Sequence, residues 1–374
     1  MCIPCLLTGG TEVQTLNLVQ ALVEGGHEVV TVCYFEHSPV MVERFRLAGS
    51  RVELLGADGS RPGGWRMVRF LYEGLRRVVR REKPDVAHVQ YMAPGAIPIV
   101  LLRLMGVKCV IATAHTAGDI YSRPGLRLVR FIERHWVKVF TCITEAAERS
   151  FFGSSRLYDE DTRLGRYNHF TIYNALPRQF AARRQAVARD FSRPPVVGVV
   201  SRLERIKGMD MVVPAFALVH ESYPGARLVV VGDGSLRGEM QRQAAELGVA
   251  GCVEWAGRQP QDVLPGWYGR MDVVLMPSRS EGFGLTAIEA MAYGCVVVAS
   301  RTGGLPEVVR DGEVGLLHEP GSVDDIARKV CLLLDDRSLM HQLSVNAVQE
   351  VSRYSFERYA SQFQDLYNKL IIKD

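Results

Sequence analysis

Two doubly wound α/β domains, each a parallel sheet wrapped by crossover helices, are the architecture this sequence predicts. Three observations lead there. The chain has 374 residues, too many for one ordinary domain and comfortable for two that each bury a core. Short β-branched runs alternate with longer stretches of helical periodicity, as parallel strands joined by helices require. That alternation stops at a polar, arginine-rich, proline-bracketed segment, 177–195 (PRQFAARRQAVARDFSRPP), and then starts again. The expected limits are 1–180 for the first domain, 181–195 for a linker, 196–354 for the second domain, and 355–374 for a C-terminal helix crossing back to the first.

In the first half, strands are expected at 2–7, 28–34, 51–55, 85–90, 108–113, 139–143 and 169–173, with helices such as 12–24 and 67–81 between them. Met1 lies almost inside the first run, so that strand is read as short or as preceded by further chain. In the second half the strands are 196–201, 227–231, 252–255, 272–276 and 295–299, and a last helical pattern covers 356–370. Doubly wound sheets open their ligand crevice at the carboxyl ends of their strands. Two such domains facing each other hold a site across the cleft.

Composition narrows the class. With 47% apolar and 23% charged residues the chain is globular, which excludes a disordered or fibrous protein. The net charge of +4 is uneven: residues 1–180 carry 23 Lys+Arg against 17 Asp+Glu, a net +6, and the remainder is −2. The excess sits at 65–83 and 123–138, where basic and apolar residues interleave at helical spacing. Such faces suit anionic lipid headgroups; the plainer reading is a solvated helix whose apolar side packs on the core. No recognition motif accompanies the charge, so nucleic acid is not an expected partner. Eight scattered cysteines, mostly in apolar runs, and no signal-peptide pattern favour a reducing cytoplasm, at the inner membrane face if the basic helices engage lipid. Cys2 and Cys5 form a lone C-x-x-C that reads as buried strand rather than a metal or redox pair. No apolar stretch reaches spanning length.

The stretch 277–307 (PSRSEGFGLTAIEAMAYGCVVVASRTGGLPE) carries the chemistry. A strand ends at Met276, a turn holds Glu281, Gly282, Phe283 and Gly284, and a helix begins near Leu285. Glycines admit an anion close to the backbone, and the free N–H groups and positive dipole end of a helix stabilise a diphosphate. Glu281 just before the helix and Glu289 within it supply carboxylates for sugar and ribose hydroxyls.

Glu281 and Glu289 stand in an E-x7-E arrangement, and the surrounding SEGFGLTAIEAMAYGCVVVAS resembles the donor signature of the family 4 retaining glycosyltransferases, which have the GT-B fold. The resemblance extends to Thr8–Glu12 (the glycine loop), Pro84–His88, Tyr173–Ala175 and Val200–Gly208. It implies that Arg202 and Lys207 contact the donor diphosphate, two fixed cations that stabilise the departing nucleotide with no metal and no cofactor. It also implies that His115 faces the transferred sugar, with the other strand-end histidine, His88, ranked lower. Gly10 offers a backbone contact to phosphate or acceptor, Gly232 and Asp233 border the nucleotide pocket, and Gly257 and Arg258 read the base edge. In isolation each reads as a plain turn or surface residue.

The implied reaction moves a sugar from a nucleoside-diphosphate sugar, uridine being the expected base, to an acceptor hydroxyl with retention at the anomeric carbon. The acceptor belongs to glycolipid, envelope polysaccharide or glycosylated-metabolite assembly, and is a small-molecule, lipid-linked or glycan hydroxyl. A sugar-nucleotide-binding pseudoenzyme or regulatory partner is the alternative. Other GT-B chemistries, phosphorylase or epimerase, lack support because no lysine cofactor anchor or paired catalytic carboxylates point there.

Overall fold

The computed structural model describes residues 1–56, 61–91, 95–118, 121–165, 168–181, 191 and 193–371, so most of the expected linker, 182–190 and 192, lies outside the described residues. The chain divides into two compact units: Met1–Pro177 with Phe356–Asp374, and Arg178–Ser355.

The first unit contains strands β1 (Cys2–Ile3), β2 (Val30–Cys33), β3 (Arg51–Leu54), β4 (Val86–Tyr91), β5 (Cys109–Ala114), β6 (Val139–Cys142) and β7 (His169–Thr171). All pair in parallel in the order β3-β2-β1-β4-β5-β6-β7, with the direction of winding reversing between β1 and β4. Its helices are α1 (Gly10–Glu24), α2 (Pro39–Leu47), α3 (Gly64–Glu82), α4 (Ala96–Leu104), α5 (Arg123–Trp136) and α6 (Glu145–Phe152). The near-continuous apolar runs in β4 to β6 arise because helices cover both faces of the sheet. One face buries Leu71 and Leu75 of α3, Ile99 of α4 and Val129 and Ile132 of α5. The other buries Leu16 and Val19 of α1 with Tyr359, Phe363 and Leu366, contributed by a helix from the far end of the chain.

The expected strand at 2–7 shrinks to two residues. Pro4 has no N–H to continue the ladder, and beyond it only Leu6 makes an isolated bridge, to His37. Helix α2 had no counterpart among the expected elements; it turns Met41, Val42 and Phe45 inward from only nine residues.

The second unit opens with α7 (Arg178–Ala181) and holds strands β8 (Val196–Val200), β9 (Arg227–Val231), β10 (Val253–Gly257), β11 (Val273–Met276), β12 (Val296–Ser300) and β13 (Gly315–His318). These also run parallel, in the order β10-β9-β8-β11-β12-β13, reversing between β8 and β11. Helices α8 (Val212–Ser222), α9 (Arg237–Glu246), α10 (Leu264–Arg270), α11 (Leu285–Ala292), α12 (Leu305–Val308), α13 (Val323–Asp335) and α14 (Arg337–Glu350) surround it. Helix α15 (Phe356–Ile371) then returns to the first unit and packs on α1. Its Tyr367 hydroxyl lies 2.9 Å from His88 Nδ1, and His88 Nε2 lies 2.6 Å from the Thr113 hydroxyl. Burial drives the His88 pKa well below the ordinary histidine value, so the ring is neutral and fully hydrogen-bonded. No helix among the described residues is long and apolar enough to cross a membrane.

Candidate functional site

Most of the residues singled out from the sequence gather at the carboxyl ends of β8 to β12, beside the point where the second sheet reverses its winding. After β8 the chain runs through Arg202 into a 3₁₀ turn, Arg205–Lys207, closed by Gly208 at φ 69°. A Cβ on Gly208 would lie 1.9 Å from the Pro277 carbonyl oxygen, so only glycine lets this loop fold down onto the turn after β11. That approach brings Lys207 Nζ within 2.7 Å of Glu281 Oε2. The pair is half-withdrawn from solvent, with side chains 22% and 15% exposed. Ser278 donates a second, longer bond to the same carboxylate oxygen, 3.3 Å. Arg202, on the same loop, is exposed and forms no ion pair among the described residues.

Glu281 is held from behind by its own main chain. The Gly304 N–H donates to the Glu281 carbonyl at 3.1 Å, and Gly303, at φ 56°, lies so close that a Cβ there would stand 1.9 Å from the same oxygen. Glu281 is followed by Gly282 and buried Phe283, whose ring meets Tyr354 edge-on at 5.6 Å. Gly284 is the N-cap of α11 and brings no side chain to cap it. The helix therefore presents its first N–H groups to whatever occupies the turn.

Glu289, one turn into α11, is 5% exposed and accepts the Tyr268 hydroxyl proton at 2.8 Å. Burial raises its pKa to about 7, while the Tyr268 bond pulls it partly back. Between pH 4.5 and 7 the folded state therefore holds a proton that the unfolded chain has released, and stability falls as pH rises through this window. Glu289→Gln is expected to remove that loss, about 3 kcal/mol across the window, seen as a flatter melting temperature against pH than the wild type.

The Gly232–Asp233 turn after β9 packs against the Arg202 loop. The Leu203 N–H donates to the Asp233 carbonyl at 3.0 Å, and the Gly232 N–H donates to the Gly257 carbonyl at 2.8 Å. The Asp233 carboxylate is exposed, accepting from Gly234 N at 2.9 Å and from Arg237 at 3.3 Å. Arg258 follows Gly257 at the end of β10, exposed.

Two of the predicted site residues, Gly10 and His115, belong to the first unit. Gly10 is the exposed first residue of α1. His115 follows β5, and its Nε2 lies 2.6 Å from Gln90 Oε1; burial lowers its pKa to about 4, so it is neutral at pH 7 and donates to that oxygen. Gln90, Tyr268, Ser278, Gly303 and Gly304 had no assigned role in the sequence. Only the two glycines left a signal there, in the SRTGG run after β12. A separate cavity of about 300 Å³ at the opposite ends of β8 and β9 contains none of the predicted residues. Of its three arginines, Arg193 pairs with Asp272 and Arg270 with Glu254.

Residues 9–151 match the family model of the glycosyl transferase 4-like domain, and residues 183–350 that of glycosyl transferases group 1. The D-inositol 3-phosphate glycosyltransferase of Corynebacterium jeikeium is 37% identical over 188 residues, 48% of this chain, so the match spans less than half of that relative, 44% of its length. The enzyme of the same name from Corynebacterium glutamicum is 34% identical over 320 residues, 80% of this chain and 76% of the relative. Among solved structures, Anabaena Alr3699/HepE in complex with UDP superposes with a TM-score of 0.79 over 98% of both chains at 18% identity, a likeness of fold. Two family models that between them cover most of residues 9–350, and 34% identity across three quarters of the Corynebacterium glutamicum relative, establish that the chain belongs to the group 1, family 4-like glycosyltransferases of GT-B fold.

Proposed function

We propose that the protein is a retaining, metal-independent glycosyltransferase that uses a nucleoside-diphosphate sugar, with UDP as the expected nucleotide. One observation carries the reading: Lys207 and Glu281 meet at 2.7 Å where a glycine-bounded turn feeds a helix with no N-cap side chain, and exposed Arg202 stands on the same loop. Cation, carboxylate and helix N-terminus are grouped at the turn after β11, and these are the groups that a sugar diphosphate calls for.

In the reaction, the bond between the anomeric carbon and the β-phosphate oxygen breaks and its electron pair leaves with the nucleotide. The acceptor oxygen bonds to the same carbon on the same face, and its proton passes to the departing phosphate oxygen. Arg202 and Lys207 stabilise the charge that grows on that phosphate, assisted by the first N–H groups of α11. Glu281 accepts bonds from sugar hydroxyls and Glu289 from the ribose. By the family resemblance, Gly232, Asp233, Gly257 and Arg258 border the nucleoside, while Gly10 and the neutral His115 serve phosphate and sugar. The acceptor is an alcohol of a glycolipid, polysaccharide or small metabolite; the relatives named for D-inositol 3-phosphate make a polyol phosphate the first to try.

The test is a thermal-shift screen of nucleoside diphosphates and their sugars. A specific ligand at one hundred times its Kd adds about 2.7 kcal/mol, and UDP is expected to lead. Stabilisation by no nucleotide defeats the reading, and binding with no transfer or donor hydrolysis supports the pseudoenzyme instead.

The basic helices suit a lipid-linked acceptor. Arg76, Arg77, Arg80 and Arg81 of α3 are all exposed, and on α5 Leu128 and Phe131 are 53% and 54% exposed. Co-sedimentation with phosphatidylserine vesicles is expected at low salt and lost when the four arginines become glutamine, at about 1 kcal/mol per charge. Sedimentation that ignores the substitutions argues against this surface.

A further inference from the structure

We infer that Arg279 and Asp210 form a positioning pair that holds Lys207 in place at Glu281; the inference rests on the donor-site reading above. The 3₁₀ turn that presents Lys207 is only three residues long, and Arg205 and Ile206 within it are exposed. A turn so short and so poorly packed does not fix a side chain by itself. Its carbonyls are instead gathered by one residue across the sheet. The Arg279 N–H donates to the Ile206 carbonyl at 2.9 Å, and Arg279 Nη1 donates to the Arg205 carbonyl at 2.7 Å.

The same guanidinium spans Asp210, with Nη1 to Oδ1 at 2.6 Å and Nη2 to Oδ2 at 2.8 Å. Asp210 is 13% exposed, and Arg279 is the chief reason its carboxyl sits below the usual aspartate range. Arg279 also accepts the Thr302 hydroxyl at its carbonyl, 3.3 Å, one residue before Gly303. It thus joins the loops that follow β8, β11 and β12, standing two residues after Pro277 and two before Glu281. A partly exposed ion pair of this kind contributes modestly to global stability. Its effect here is register: the Ile206 carbonyl ends on the Arg279 main chain and the Arg205 carbonyl on its guanidinium, a planar fork that also grips Asp210 and that lysine cannot imitate.

The experiment titrates the full chain with the nucleoside diphosphate that leads the thermal screen, UDP by expectation. Arg279→Ala, Arg279→Lys and Asp210→Asn are each expected to weaken binding roughly tenfold while melting within a few degrees of wild type, because displacing a binding group by an ångström is costly. In a Lys207→Ala background, removing Arg279 is expected to change affinity by less than about twofold, since coupled residues are not additive. An equal loss in both backgrounds, or rescue by Arg279→Lys, overturns the pair as a positioning device. So does full affinity in Arg279→Ala when Lys207→Ala is weakened. If Lys207→Ala binds as tightly as wild type, or nothing binds the wild type, the donor-site reading falls and takes this inference with it.

Discussion

Lys207→Ala or Glu281→Ala is expected to lower sugar transfer by about 10²- to 10³-fold with the fold intact, the size of loss seen when one preorganised partner of a developing charge is removed. The two substitutions should differ in kind. Without Lys207 the leaving phosphate lacks a fixed cation, so kcat falls; without Glu281 the sugar hydroxyls lose an acceptor, and KM rises as well. Each single change also leaves a half-withdrawn charge without its partner, whereas the double change removes both, so stability in Lys207→Ala/Glu281→Ala should be nearer wild type than the sum of the singles. Steady-state kinetics and urea midpoints of the four proteins decide this. Wild-type turnover in either single variant eliminates the pair from catalysis.

Gly303→Ala is the second large effect. The residue sits at φ 56°, where an L side chain costs roughly 1–2 kcal/mol, and its new methyl would meet the Glu281 carbonyl oxygen at 1.9 Å. Backbone cannot yield as a flexible side chain does, so the turn carrying Glu281 must move. A stability loss of about 2–4 kcal/mol is expected, with weaker nucleotide binding in the protein that remains folded. Gly266→Ala within α10 is the control: nothing lies within 4 Å of a Cβ there, and in a helix alanine gains up to about 1 kcal/mol over glycine. Denaturant midpoints that match for the two variants would refute the steric account.

The sequence was informative where physics is local. Alternation of β-branched and helical runs, and its restart after Pro195, indicate two parallel-sheet units because both signals come from neighbouring residues. The start of α11 at Leu285 was legible for the same reason: a glycine turn ends one period and another begins. What escaped depends on distant partners. Nothing near Glu289 announces that Tyr268, 21 residues earlier, would cover it, and nothing near His115 points to Gln90. Arg279 and Asp210 are 69 residues apart and each reads as an ordinary surface charge. Pro4, by contrast, is a local signal: it lies inside the expected 2–7 strand and ends the ladder there because it offers no N–H.

The route of the chain has a consequence for biosynthesis. Residues 1–177 leave the ribosome long before α15 does, because the whole of the second unit, Arg178–Ser355, is translated in between. Until then the apolar flank of α1 and the His88 ring lack Tyr359, Phe363 and Tyr367. At about 5–20 residues per second, that leaves a nascent half-core exposed for on the order of ten seconds or more, a natural substrate for a chaperone.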